Sequence, residues 1–398
     1  MRKKFLMTTR FATIAIIACG VTGCSSDDGG AADTSLDTSD QVDTSTPGVD
    51  TAVQEDTSTA DADTQLDVAP TDTAVSNVPH GKLTRTIDVA GVPREFLLHV
   101  PAQIDGSADV PLVVMIHGTS GNGLKFYNIS GWVDKADAEG FIVAFPSALV
   151  YCMFNDDNRD GVKAADELKV TSKWAAGILG SDLMPLCTPE ERQQHPQRAQ
   201  IEMTELQDDV AFFAAMTAAI QGALPIDANR MYVTGFSNGG DMSGRLMVEM
   251  SDVFAAFGLA AGGLRTAGAP KRAAPFVYSV GNMDPGMLEG INSERDASEM
   301  LSELPMDESS INIESLGPLL AALVGSVELD TTQYTFATRE IGGETVMRFI
   351  YETSTAGNSN KAVVSVIEGL EHSYANGTNH PVVMADLLWA FFSGYTLE

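Results

Sequence analysis

The chain is 398 residues long and carries 54 acidic against 24 basic residues, a formal charge of −30. Residues 80–398 alone hold 41 acidic and 20 basic side chains, near −21, and that surplus repels phosphate backbones, so nucleic acid is not an expected partner. The chain as a whole is 44% hydrophobic, and those roughly 320 positions are enough to bury the core of one large α/β domain or two small ones.

The first ten residues, "MRKKFLMTTR", are basic, and "FATIAIIACGV" after them is apolar but too short to span a bilayer, the pattern of a secretory signal. "VTGC" resembles the lipobox of bacterial lipoproteins. That resemblance implies cleavage after residue 23, lipid on Cys24, and anchoring in the bacterial envelope, with Ser25 compatible with the outer membrane. An ordinary cleaved signal with an incidental cysteine is the alternative. Residues 24–79 then turn to Asp, Thr, Ser and Ala without a Lys or Arg. Such a segment cannot bury enough surface to fold and reads as an acidic low-complexity tether, with an r.m.s. reach of about 40 Å.

From residue 80 onward the hydrophobic pattern predicts alternating strands and helices. Residues 82–91 and 94–101 read as a strand pair joined by a tight turn near Gly91, and "PLVVMIHG" as a buried strand, near-continuously apolar. Helix 130–140 leads to strand 141–146. Asp209 is expected to cap a helix over 210–224. Strand 230–235, helix 239–250 and strands 254–262 and 275–281 follow, and "AVVSVIEGLEHSYANG" holds another strand. The alternation predicts a mostly parallel sheet flanked by helices.

Between strand 230–235 and helix 239–250 lies Gly235-Phe236-Ser237-Asn238-Gly239, a G-x-S-x-G pentapeptide. A turn this sharp leaves no room for side chains at its glycines and lifts the Ser237 hydroxyl to the sheet edge at a helix N-terminus, where the Asn238 N–H can help hold an oxyanion. A serine needs a base, and the base an orienting acid. Asp284 and His372 each follow a strand, in the order Ser, Asp, His. Asp284 could instead be a turn-former before Pro285, and His380 could take the place of His372. His117 in "IHGTSGNG" ends a strand ahead of the serine, and that loop reads as the second oxyanion donor, through the Thr119 N–H.

The stretches "PLVVMIHGTSGN", "SGWVDKADAEGFIVAFPSAL", "DDVAFFAAM", "IDANRMYVTGFSNGGDMSGRLMVEMSDVFAAFGLAAG", "GNMDPG" and "GLEHSYANG" together resemble the extracellular polyhydroxybutyrate-depolymerase and feruloyl-esterase-like branch of the α/β-hydrolases, in order over roughly residues 90–290 and 360–395. The resemblance implies an α/β-hydrolase fold over residues 80–398 and ester hydrolysis through an acyl-enzyme, with Ser237 as nucleophile, His372 as base then acid, and Asp284 orienting it. Asp241 departs from the family pattern and adds a charge near the nucleophile. Residues 291–345 have no counterpart and could form a cap or a peripheral helix.

Within an insertion at 150–206, "DDNRDGVKAADE" fits a calcium-loop pattern, with Asp156, Asn158, Asp160 and Glu167 offering side-chain oxygens, Val162 a carbonyl, and Gly161 the turn. A structural calcium ion and a merely solvated acidic loop are both open, and no cofactor is expected for catalysis. Cys152 and Cys187 flank the loop and are the two cysteines left after the signal and the lipid site. In an oxidising compartment they either pair or stay as separate buried thiols. The leading expectation is a surface-tethered serine esterase acting on polymeric or oligomeric esters outside the cell, either polyhydroxyalkanoate or feruloylated or acetylated polysaccharide. The other classes are a non-catalytic binding protein on the same fold, and a lipase or exopeptidase.

Overall fold

The computed structural model describes residues 78–156, 163–292, 295–296, 298–313 and 316–397. The signal at 1–23, Cys24, the tether up to residue 77, and Asn158, Asp160, Gly161 and Val162 of the calcium-like loop lie outside the described residues.

Strands β1 (Gly81–Val89) and β2 (Val92–Val100) pair antiparallel with Val89 opposite Val92, leaving a two-residue turn. Both turn residues, Ala90 and Gly91, have positive φ, as a turn matching strand twist requires. β3 (Val110–Ile116) is followed by α1 (Gly123–Ile129) and α2 (Trp132–Glu139), which return the chain to β4 (Ile142–Pro146). The insertion then forms its own two-stranded sheet from β5 (Val150–Phe154) and β6 (Leu168–Ser172). Next come α3 (Pro189–Gln194) and α4 (Asp209–Ala223), then β7 (Ile226–Phe236), α5 (Asn238–Glu249), β8 (Ala256–Ala260) and β9 (Phe276–Gly281). The remainder is α6 (Pro285–Asn292), α7 (Leu316–Gly325), β10 (Thr335–Ile341), β11 (Glu344–Tyr351), β12 (Ala362–Ile367) and α8 (Met384–Phe392).

Among the described residues ten strands form one sheet in the order β1-β2-β4-β3-β7-β8-β9-β12-β11-β10. The six from β4 to β12 run parallel, with an antiparallel pair on each edge. Alternation along β3 shows why its sequence is apolar throughout. Leu112, Val114 and Ile116 join one core with α4, α5 and α7, while Val113 and Met115 join a second core with α2 and α8. Both faces of the sheet are covered, so neither set of side chains meets water.

Three local findings refine the sequence reading. The helix expected after Asp209 is capped by Asp208, whose side chain accepts from the Ala211 N–H, and Asp209 is already in the first turn. Two adjacent aspartates could each cap, but Asp209 is drawn inward by the buried Arg94, whose Nη2 lies 2.7 Å from its Oδ1. Cys152 and Cys187 are joined by a disulfide that ties β5 to the segment preceding α3. Within 291–345, α7 buries Leu316, Leu320 and Leu323 in the first core, and β10 closes the sheet edge. Among the described residues no helix is long and apolar enough to cross a membrane.

Candidate active site

The turn from β7 into α5 is crowded enough to dictate its glycines. A Cβ on Gly235 would come within 2.0 Å of the Gly239 carbonyl oxygen, and one on Gly239 within 2.4 Å of the Ile116 oxygen and 2.5 Å of the His117 oxygen. Ser237 sits between them at φ 53°, ψ −120°, a conformation that costs a non-glycine residue about 1–3 kcal/mol. Hydrogen bonds from Ser237 N to the Ala260 oxygen (2.8 Å) and from Asp241 N to the Ser237 oxygen (2.9 Å) hold it there.

Ser237, His372 and Asp284 converge from three loops at the C-terminal ends of β7, β12 and β9. Ser237 Oγ is 2.9 Å from His372 Nε2, and His372 Nδ1 is 2.7 Å from Asp284 Oδ2. The other oxygen of Asp284 accepts the N–H groups of Gly286 (2.9 Å) and Met287 (3.2 Å). A carboxylate occupied this way leaves Nδ1 to donate and Nε2 as the acceptor for the serine hydroxyl, the arrangement that can draw off its proton. Asp284 thus braces the turn and bonds the imidazole at once. Phe236 packs against the imidazole with ring centroids 5.0 Å apart, which limits its rotation.

His380 stands apart from this chain of bonds. Its Nε2 donates to the Glu368 carbonyl (2.8 Å) and its Nδ1 accepts from the Val382 N–H (3.2 Å), a role in loop structure. His117 is likewise absorbed. Its Nδ1 faces the Gly118 oxygen at 2.7 Å and its Nε2 accepts the Ala148 N–H at 2.9 Å, which fixes a neutral ring. Burial pushes its pKa down to about 4.

For the two expected oxyanion donors, no protein group among the described residues accepts the backbone N–H of Thr119 or of Asn238 at the start of α5. Their side chains are held from one direction, the end of β6 and the residues after it. Lys173 Nζ donates to Thr119 Oγ1 (3.1 Å), and Ser120 N donates to the Ser172 carbonyl (3.0 Å). Ser172 Oγ donates to the Gly121 carbonyl (2.7 Å), and Trp174 Nε1 to the His117 carbonyl (2.9 Å). Asn238 Oδ1 accepts the Trp174 N–H at 2.7 Å.

Sequence reasoning missed Ser172, Lys173 and Trp174, because nothing in the insertion's periodicity says where it docks. Lys173 is only 4% exposed. Burial pushes its ammonium down, and Asp241 pulls it back up. Asp241 is not a bare charge beside the nucleophile, since its Oδ1 accepts the Gly263 N–H (2.8 Å) and Arg265 Nε (3.3 Å).

Of the calcium-like loop, the described members are Asp156 and Glu167. Glu167 is buried, with Oε2 accepting the Ala164 N–H at 3.1 Å and Oε1 without a hydrogen-bond partner among the described residues. No group of three or more His, Cys, Asp or Glu side chains able to hold a metal occurs among the described residues.

No family profile matches the chain. A candidate esterase, NocK, of Nocardia uniformis subsp. tsuyamanensis is 25% identical over 303 residues, 74% of each chain. Among solved structures, the acetyl xylan esterase from Aspergillus awamori aligns with 79% of this chain and 99% of its own, at 13% identity and a TM-score of 0.46. An S-formylglutathione hydrolase from Agrobacterium tumefaciens aligns with 78% and 94%, at 12% identity and a TM-score of 0.43. The chain's own strand order, its parallel centre, and the strained serine between β7 and α5 are those of the α/β-hydrolase fold.

Proposed function

We propose that this chain is a serine hydrolase of carboxylic esters that works through an acyl-enzyme. The observation that carries the reading is the unbroken hydrogen-bond chain from Ser237 through His372 to Asp284, set on a strained elbow. In the first half-reaction Ser237 Oγ attacks the acyl carbon as its proton passes to His372 Nε2. The carbonyl electron pair moves onto oxygen, where the N–H groups of Asn238 and Thr119 hold the negative charge. Collapse of this intermediate breaks the bond to the alcohol oxygen, which takes the proton from Nε2. Water then repeats the sequence on the acyl-enzyme with His372 again as base, releasing the acid and restoring the serine. Asp284 stays ionised throughout and stabilises the imidazolium.

The resemblance to polyhydroxybutyrate depolymerases and feruloyl esterases points to an ester in polymeric or oligomeric material, either polyhydroxyalkanoate or feruloylated or acetylated polysaccharide. The name of the Nocardia relative agrees in reaction type. The lipobox-like "VTGC" and the acidic segment after it support display on the bacterial envelope, anchored by lipid on Cys24 and held off the membrane by residues 24–79.

Hydrolysis of p-nitrophenyl butyrate by the full chain, beside Ser237→Ala, tests the chemistry. A fall in kcat of about 10⁴-fold or more is expected, and a variant that keeps its rate ends the proposal. An inactive but ligand-binding wild type would instead favour the non-catalytic binding protein. For the anchor, Cys24→Ser is expected to move the protein from the membrane fraction to the soluble one, and unchanged fractionation rules lipid on Cys24 out.

A further inference from the structure

A cavity of about 200 Å³ lies between β9, β10, β11, β12 and α8. Val277 and Val363, in its floor, stand near the starts of β9 and β12, whereas Asp284 and His372 follow the ends of those strands. Val277 lies four positions before Gly281, about 13 Å of extended chain, and none of the lining residues is one of the candidate active-site residues.

Its lining pairs apolar walls with uncompensated positive charge. Leu387 and Phe391 of α8 and Val277 and Val363 of the sheet line the cavity, while Arg339, Arg348 and Lys361 border the same space. Lys361 is matched by Glu352, 2.5 Å from its Nζ. Arg339 and Arg348 have no ion-pair or side-chain hydrogen-bond partner among the described residues, and Arg348 Nε is buried without an acceptor. The register puts Arg339 opposite Val346, two residues from Arg348, so the two cations are diagonal neighbours roughly 7–8 Å apart on one sheet face. Like charges so placed repel, in a chain where acids outnumber bases more than two to one.

Edge protection accounts for a cation on β10, the last strand of the sheet, but not for one on β11, which is paired on both sides. Directly across from Arg348 is Ser365, a fully buried residue at the cavity border whose hydroxyl has no hydrogen-bond partner among the described residues. Buried hydroxyls and guanidinium nitrogens are usually satisfied in folded proteins, and of the buried polar atoms left without a partner among the described residues these two belong to residues bordering the cavity.

We propose that this cavity binds the carboxylate of a short-chain aliphatic acid. The Arg348 guanidinium grips the head group with Arg339 alongside, the Ser365 hydroxyl donates to it, and the hydrocarbon chain lies between α8 and the floor of β9 and β12. A guanidinium fork matches a carboxylate in shape as well as charge. The volume, below the roughly 300–1,000 Å³ of sites for drug-sized ligands, limits the ligand to a small acid. Such acids are what the hydrolysis proposed above would release, but the site is argued from charge and shape and stands without that reading.

Calorimetric titration of the full chain with hexanoate and with hexanol tests it. One saturable site for hexanoate is expected, with hexanol at least tenfold weaker and each methylene from butyrate to hexanoate tightening binding about fourfold. Arg348→Met should weaken hexanoate at least tenfold. Ser365→Val, which keeps every charge and removes the hydroxyl, should weaken hexanoate at least tenfold, and it decides the matter should Arg348→Met fail to fold. Ester hydrolysis should be unchanged in both. The proposal is overturned by an absence of saturable binding, by equal affinity for the alcohol, or by hexanoate affinity untouched by Ser365→Val, which would place the acid in the Ser237 cleft or on no defined site.

Discussion

Two segments meet at the proposed oxyanion position and are held there by opposite means. The elbow at 235–240 is fixed by crowding, since its glycines lie against backbone oxygens that leave no room for a methyl group. The insertion at 150–206 is fixed by tethers, namely the Cys152–Cys187 disulfide and the hydrogen bonds of residues 172–174 to the 117–121 loop and Asn238. Crowding places one atom rigidly and tolerates no change. Tethers position a neighbouring loop and can be loosened one at a time. The nucleophile belongs to the first kind of control and the Thr119 side of the site to the second.

The sharpest break in that comparison comes at Gly239. Gly239→Ala should lose soluble protein or fall by about 4 kcal/mol or more, because the new methyl group would meet two carbonyl oxygens that belong to β3 and its exit. Gly222→Ala, on α4 with nothing within 4 Å of the added Cβ, is the matched control. It should be neutral or stabilising, by up to about 1 kcal/mol. Urea unfolding of the two variants distinguishes crowding from general sensitivity, and a Gly239→Ala protein as stable as wild type would defeat the account of the elbow.

The contrast also explains what the sequence disclosed. Gly235, Ser237 and Gly239 were legible because a steric demand confined to five residues writes itself as a local pattern. Asp284 and His372 were legible because the fold fixes their order and each follows an apolar strand. Asp209 was misplaced by one residue, since its partner Arg94 is 115 positions away and a cap signal cannot register it. Lys173 and Trp174 were missed altogether. Their roles depend on where β6 ends in space, and the tethers that decide this join residues far apart in the chain.

His117 lies beneath both segments, accepting from Ala148 at Nε2 and from Trp174 at its carbonyl. Burial holds its pKa to about 4, against about 6.5 in an unfolded chain. Between those values the unfolded chain binds a proton that the folded one refuses, so stability is complete above about pH 6.5 and is lost as the pH falls towards 4. The loss attributable to this ring is about 3 kcal/mol. His117→Gln should flatten the decline in unfolding free energy between pH 7 and pH 4.5 relative to wild type. Parallel curves for the two proteins would show that the ring is not the source.

The finest adjustment is Lys173, a positioning residue for the oxyanion loop if the acyl-enzyme proposal holds. Its ammonium reaches the Thr119 hydroxyl rather than the reacting atoms, so its removal should let the Thr119 N–H swing while leaving substrate contacts in place. Lys173→Met is expected to lower kcat by about 10- to 30-fold, roughly 1.4–2 kcal/mol, with KM nearly unchanged. Thr119→Val should produce a similar fall and Thr119→Ser, which keeps the hydroxyl, much less. Because one bond is being removed from either end, the double variant Lys173→Met with Thr119→Val should be little worse than either alone. Additive losses, or a rise in KM with kcat preserved, would instead put Lys173 in substrate binding or in general stability. The position of the second oxyanion donor would then owe nothing to this tether.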